Sequence, residues 1–154
     1  MAVKKGDKAP QFALFDTDKK EHSLGEFLGK KTLLAFYPGA FTGVCTKEMC
    51  TFRDSLSELG RLNAQVVGIS VDSPFANKTF KDANKLDFPL LSDFGGKVSS
   101  EYVGLYESFA GIPGYRASRR AVVILDDKGT VTYVWVTENP GTEPDYAEVK
   151  KALG

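Results

Sequence analysis

A chain of 154 residues that is 42% hydrophobic has the size of one domain and enough apolar content to build a core, which argues against disorder. Lys+Arg and Asp+Glu number 20 each, so the formal net charge is zero and no electrostatic footprint for nucleic acid or an anionic membrane is present. No apolar run approaches the roughly 20 residues that span a bilayer, and Met1-Ala2-Val3-Lys4-Lys5 is followed by no apolar stretch. The expectation is a soluble, cytoplasmic protein with a single domain over residues 1–154.

Along the chain, helix-like and strand-like segments alternate. Ser23-Leu24-Gly25-Glu26 fits a capping box and opens a short helix over Leu24–Leu28. Leu33–Tyr37 is an apolar run stopped by Pro38-Gly39, which predicts a strand. Cys45–Leu59, rich in Lys, Glu, Met and Leu, predicts a helix, and Gln65–Val71 a second strand. Ser73-Pro74 fits an N-cap followed by proline at the first helical position, opening a helix over Phe75–Leu86. Pro89–Ser92 predicts a strand and Lys97–Tyr102 a helix. Arg120–Asp126 and Val131–Val136 predict strands joined by a hairpin turn at Asp126-Asp127-Lys128-Gly129, and Tyr146–Leu153 a final helix. A β-α-β-α order followed by a hairpin and a helix suits an α/β fold with a mixed central sheet flanked by helices.

The chain has two cysteines, Cys45 and Cys50. In a reducing compartment two cysteines are not a disulfide scaffold. Structural zinc wants four ligands, and the one histidine, His22, lies far away in sequence, so redox chemistry leads. Cys45 falls in the first turn of its helix, beside unpaired N–H groups and the positive end of the dipole, which is expected to lower the thiol pKa. Thr42 can cap that helix, and Pro38 can stiffen the loop before it. On an ideal helix, residues five apart are separated by roughly 8.6 Å between Cα atoms, beyond the ~7 Å a disulfide tolerates. Trp135 reads as core or sheet surface. The Asn77-Lys78-Thr79 sequon reads as noise, and Phe94-Gly95-Gly96 as a loop with no Lys-Ser/Thr pair to make a phosphate cradle.

Pro38, Thr42 and Cys45 make the pattern Pro-x-x-x-Thr-x-x-Cys, which resembles the active-site signature of the peroxiredoxins, thiol peroxidases on a thioredoxin-like fold. The Cys45-x4-Cys50 spacing is similar to the bacterioferritin-comigratory-protein (peroxiredoxin Q) branch. The loop Pro38-Gly39-Ala40-Phe41-Thr42 is closer to the peroxiredoxin-5-like branch. The resemblance begins at Gly6-Asp7-Lys8-Ala9-Pro10-Gln11-Phe12 and runs through Arg120–Gly129 into the last strand.

The resemblance implies a role for each residue. Cys45 is the peroxidatic nucleophile, oxidised to sulfenic acid. The Thr42 hydroxyl and the N–H groups of Val44 and Cys45 contact the peroxide, and Pro38 shields the sulfur. Arg120-Ala-Val-Val-Ile-Leu-Asp126-Asp-Lys-Gly129 matches the family register of an arginine that stabilises charge on the departing oxygen. Strand neighbours point to opposite faces, so Arg120 rather than Arg119 is expected at the site. Glu48, one helical turn beyond Cys45, orients that arginine. Cys50 resolves the sulfenic acid after local unwinding of the helix. Phe41, with Ala40, lines an apolar mouth suited to organic hydroperoxides.

The partners implied are a peroxide and a thioredoxin- or glutaredoxin-like reductant. No cofactor, metal, nucleic acid or membrane is implied, and the assembly is a monomer or homodimer. Two other readings stay open: a one-cysteine peroxidase served by an external thiol, and a non-catalytic redox sensor or binding module.

Overall fold

The five runs expected as strands lie side by side in a mixed, seven-stranded sheet, from β5 through to the edge strand β9. A computed structural model describes residues 2–154. Its first part holds β1 (Ala13–Phe15), β2 (Glu21–Ser23), a 3-10 turn (Leu24–Phe27), β3 (Lys31–Phe36), α1 (Gly43–Asp54), α2 (Leu56–Arg61), β4 (Ala64–Ser70) and α3 (Pro74–Asn84). There follow β5 (Leu90–Ser92), α4 (Lys97–Tyr102), β6 (Leu105–Tyr106), a 3-10 turn (Phe109–Gly111), β7 (Ala117–Ser118), β8 (Ala121–Leu125), β9 (Val131–Val136) and α5 (Tyr146–Leu153). The sheet order is β2-β1-β5-β4-β3-β8-β9. β4 lies parallel to both β3 and β5, whereas β8 is antiparallel to β3 and β9 to β8. β6 and β7 pair with each other, outside this sheet.

Alternation along the central strands feeds two cores. Leu34 and Phe36 of β3 and Val123 of β8 pack with Val98 and Tyr102 of α4. Leu33 and Ala35 of β3 and Val122 and Ile124 of β8 pack on the other face with Met49 and Phe52 of α1, Phe80 of α3, and Val149 and Leu153 of α5. A strand covered on both faces is continuously apolar, which is why β3 and β8 are readable from sequence. No helix of the described residues is long and apolar enough to cross a membrane.

The helix expected over Cys45–Leu59 starts at Gly43 and is divided at Ser55 into α1 and α2. The Ser55 hydroxyl donates to the Thr51 carbonyl at 3.0 Å, and the Thr46 and Thr51 hydroxyls donate to Thr42 and Lys47 carbonyls at 2.9 and 2.8 Å. Hydroxyls that bond back onto the preceding turn bend and weaken a helix. The helix expected over Phe75–Leu86 runs from Pro74 to Asn84 and stops where Lys85 turns left-handed at φ 51°. Ser73 caps it as expected, accepting from the Ala76 N–H at 3.1 Å. The segment after Ser23 is a 3-10 turn, with the Ser23 N–H donating to Glu26 Oε1 at 3.3 Å. In the β8–β9 hairpin, Asp126 Oδ1 accepts from the Lys128 and Thr130 N–H groups, both at 2.9 Å. Strands β1, β2, β6 and β7 were not anticipated from the sequence.

His22 on β2 lies between two carboxylates, Asp16 at 2.6 Å from Nε2 and Glu26 at 2.9 Å from Nδ1. Burial pulls its pKa down, but hydrogen bonds and attraction to Asp16 and Glu26 outweigh that, and the net direction is up. A histidine whose folded pKa is raised contributes stability that is fully present below its unfolded value, near 6.5, and is lost as pH rises through the folded value. Urea unfolding from pH 5.5 to 8.5 is therefore expected to show wild type losing stability relative to His22→Gln as pH rises. A constant difference across that range would refute this pairing.

Candidate active site

The site forms where β3 ends. Pro38 and Gly39 are buried, and the chain then turns through Phe41, which has a left-handed φ of 66°. A positive φ in a bulky residue is strained and is held there by its surroundings. The Ala40 N–H donates to Asp72 Oδ2 at 2.8 Å, and the Ser70 hydroxyl donates to the same oxygen at 2.8 Å. Phe41 sets its ring edge-on to Phe80 of α3, with centroids 5.3 Å apart, and stays 55% exposed.

Thr42 occupies the N-cap position of α1 but makes no side-chain cap bond; its hydroxyl donates to the Gly39 carbonyl at 2.8 Å. The capping expected of its side chain is therefore absent, because that proton ties the loop back on itself. The first helical bond of α1 runs from the Thr46 N–H to the Thr42 carbonyl, at 2.9 Å. The N–H groups of Gly43, Val44 and Cys45 precede it and so have no helical partner. Val44 is half-buried and Cys45 fully buried.

Opposite Cys45 stands Arg120, just before β8, 1% exposed. Its Nη2 donates to Cys45 Sγ at 3.1 Å, its Nη1 to Glu48 Oε1 at 2.9 Å, and its Nε to the Pro140 carbonyl at 2.9 Å. Its N–H donates to the Tyr106 hydroxyl at 3.2 Å, and that hydroxyl donates to the Thr137 carbonyl at 2.7 Å. Arg119 points elsewhere and pairs with Glu138. The two arginines lie in the two-residue link between β7 and β8 and face opposite ways, Arg120 toward Cys45 and Arg119 toward Glu138.

Burial pushes the Cys45 thiol up; attraction to Arg120 and the Thr42 and Gly39 contacts pull down, and the net direction is up. This reverses the expected fall. The helix terminus favours the thiolate, but the sulfur is fully buried, and desolvation disfavours the charged form. Burial likewise pushes Glu48 up to about 8 against the pull of Arg120, and Glu48 Oε2 has no partner. Protonation of Glu48 leaves the whole guanidinium charge facing Cys45.

Cys50 is half-buried on the same unbroken α1 as Cys45, and both thiols are free. Its Sγ donates to Asn84 Oδ1 at 3.6 Å. Trp135 of β9 packs partly buried on the α1 side of the sheet. Asn77 is fully buried, accepting from the Tyr37 hydroxyl at 2.7 Å and donating to the Ser92 hydroxyl at 3.3 Å, so the sequon is unreachable by a modifying enzyme. Among the described residues no group of three or more His, Cys, Asp or Glu could hold a metal ion.

Several residues of the site carried no legible signal. Asp72, whose carboxylate holds the Ala40 N–H, stands in no motif of the sequence. Tyr106 comes from the two-residue strand β6 and the Pro140 carbonyl from a loop, neither with a readable pattern. Phe109 and Tyr115, 5.4 Å apart edge-to-face, close over the loop; a Cβ built on Gly39 would lie 3.7 Å from the Tyr115 hydroxyl and 3.9 Å from the Phe109 ring.

A mixed sheet flanked by helices, with a buried thiol at the first turn of a helix and a cation from the link just before β8, defines a thioredoxin-like fold built around a thiol centre. The chain belongs to the AhpC/TSA family, whose model matches residues 5–134. It is 41% identical over 133 residues to peroxiredoxin Q, chloroplastic, of Oryza sativa subsp. japonica, covering 86% of this chain and 59% of that protein. The chain therefore spans about three-fifths of the length of such plant relatives. The crystal structure of peroxidoxin BcpB from Mycobacterium tuberculosis superposes with a TM-score of 0.81 at 32% identity, covering 98% of this chain and 94% of that one. A peroxiredoxin-like protein from Aquifex aeolicus gives a TM-score of 0.86 at 29% identity, over 99% and 87% of the two chains.

Proposed function

We propose that this chain is a peroxiredoxin-type thiol peroxidase acting on hydrogen peroxide and organic hydroperoxides, with Cys45 as the peroxidatic residue. The observation that carries the reading is the Arg120 guanidinium, 3.1 Å from the Cys45 sulfur and fixed on its other side by Glu48. The sulfur attacks the terminal peroxide oxygen, the O–O bond breaks, and the thiol proton ends on the departing oxygen. The net change is Cys45–SH + ROOH → Cys45–SOH + ROH. Negative charge develops on the departing oxygen, and a fixed cation lowers that cost without reorganising. The free N–H groups of Val44 and Cys45 are placed to contact the peroxide, and the Thr42 hydroxyl can turn from the Gly39 carbonyl to it. Pro38 walls off water. Exposed Phe41, with the Phe109–Tyr115 pair, makes the surroundings of the loop aromatic, which suits an alkyl peroxide.

In the second half-reaction Cys50–SH attacks Cys45–SOH, giving the Cys45–Cys50 disulfide and water. A thioredoxin- or glutaredoxin-like dithiol then reduces that disulfide, as expected in the cytoplasm or another reducing compartment. Neither step draws on a metal or cofactor.

The test is stopped-flow oxidation of the reduced protein by hydrogen peroxide, followed by Trp135 fluorescence, with mass spectrometry of the product. Wild type is expected to react far faster than a free thiol and to end as an intramolecular disulfide, and Cys45→Ser is expected to be silent. Reaction no faster than that of a free thiol would leave only the sensor or binding module. A fast reaction that halts at sulfenic or sulfinic acid would select the one-cysteine peroxidase.

A further inference from the structure

Cys50 cannot reach Cys45 from where it sits. Both lie on α1, five residues apart, and an intact helix holds their Cα atoms roughly 8.6 Å from each other. Whatever holds the second half of α1 in place therefore opposes disulfide formation.

That half is tied to the end of α3 at one residue, Asn84. The Cys50 thiol donates to Asn84 Oδ1 at 3.6 Å. One turn on, Arg53 Nη1 donates to the Asn84 carbonyl at 2.6 Å. The Asn84 amide is itself oriented, since Nδ2 donates to the Phe80 carbonyl at 3.0 Å and so turns Oδ1 toward the sulfur. The left-handed turn at Lys85 ends α3 immediately afterwards, which leaves the Asn84 carbonyl free of the helix to receive Arg53. Within α1 itself the N-cap side chain makes no cap bond, and Thr46, Thr51 and Ser55 all bond back onto preceding carbonyls, so the helix is held by its outside contacts: Met49 and Phe52 in the core, Glu48 on Arg120, and Cys50 and Arg53 on Asn84.

We propose that Asn84 is a positioning residue that holds Cys50 and Arg53 in the folded arrangement and thereby sets the rate at which Cys45–SOH is resolved. This rests on the resolving role of Cys50 given above. While the tie holds, the sulfenic acid persists and a second peroxide can convert it: Cys45–SOH + ROOH → Cys45–SO2H + ROH. The tie thus divides the oxidised enzyme between the recyclable disulfide and the sulfinic acid. Asn84 touches neither Cys45 nor Arg120, so the first oxidation does not depend on it.

The experiment is double-mixing stopped flow with hydrogen peroxide on wild type, Asn84→Ala and Arg53→Gln, with sulfinic acid quantified by mass spectrometry after repeated turnover. The peroxide-dependent first phase is expected to be the same in all three within about twofold. The second, peroxide-independent phase is expected to be about fivefold faster in each variant, as for loss of one hydrogen bond that favours the folded helix. The sulfinic fraction is expected to fall in proportion. A second phase at the wild-type rate in both variants, or a first phase that changes by the same factor as the second, would overturn the role of Asn84. Absence of an intramolecular disulfide in wild type itself would instead overturn the resolving role of Cys50, and the positioning role with it.

Discussion

Arg120→Gln is expected to lower the second-order rate constant for peroxide by about 10²–10³-fold, the loss typical of removing one fixed donor aimed at developing charge. The native side chain makes three directed contacts, to Cys45 Sγ, Glu48 Oε1 and the Pro140 carbonyl, so its position leaves little to be organised during the reaction. Glutamine keeps a donor and much of the stem but loses the charge and the fork. Glu48, already raised to about 8, then has no cation beside it and stays protonated at neutral pH, so the substitution does not strand a buried carboxylate. The Cys45 thiol at the same time loses the largest of the contributions that oppose its burial. Arg120→Lys is expected to fall between the two, because an ammonium restores charge but cannot span sulfur, carboxylate and carbonyl together. Single-turnover oxidation at pH 7 gives the rates directly. A glutamine variant within about threefold of wild type would remove Arg120 from the chemistry.

Cys50→Ser is expected to separate the two half-reactions. Oxidation of Cys45 is expected to proceed within about twofold of wild type, because the Cys50 sulfur faces Asn84 and not the peroxide site. Steady-state turnover with a thioredoxin-type dithiol is expected to drop by at least about tenfold, since exchange then lacks an internal disulfide to attack. The variant should instead accumulate sulfenic and then sulfinic acid on Cys45. Undiminished turnover would show that an external thiol reaches the sulfenic acid directly and that Cys50 is incidental.

What could be read from sequence was whatever depended on period. Glu48 meets Arg120 because it lies one helical turn beyond Cys45, and Arg120 and Arg119, adjacent in the link before β8, face opposite ways. β3 and β8 are apolar on both faces and stand out at once. β1 and β2, three residues each, are too short to show a period, and β2 is a polar edge strand. The division at Ser55 is hidden because apolar residues continue on both sides of it, Met49 and Phe52 before and Leu56 and Leu59 after, and the break is a backbone departure at Ser55, with φ −94° and ψ −1°. Thr42 was placed correctly at the helix start, but the direction of its proton depends on the nearby Gly39 carbonyl. The pKa of Cys45 was misjudged for a related reason. A helix terminus is local and visible in sequence, whereas burial of Cys45 in the core cluster with residues of β3, α3 and β8 is tertiary.

Cys45, Glu48 and Cys50 ride on one helix, while Arg120 and the Tyr106 hydroxyl that holds its backbone belong to the stationary side of the molecule. When α1 loosens, nucleophile, acid and second thiol travel together and the cation stays behind. In the proposed mechanism, capture of peroxide and hand-over to a reductant therefore take place in two mutually exclusive shapes of the same surface. A dithiol donor meets a disulfide already withdrawn from the machinery that breaks O–O bonds, and a peroxide arriving at that moment finds nothing to react with. A peroxidase working this way keeps its two redox partners apart in time rather than in space.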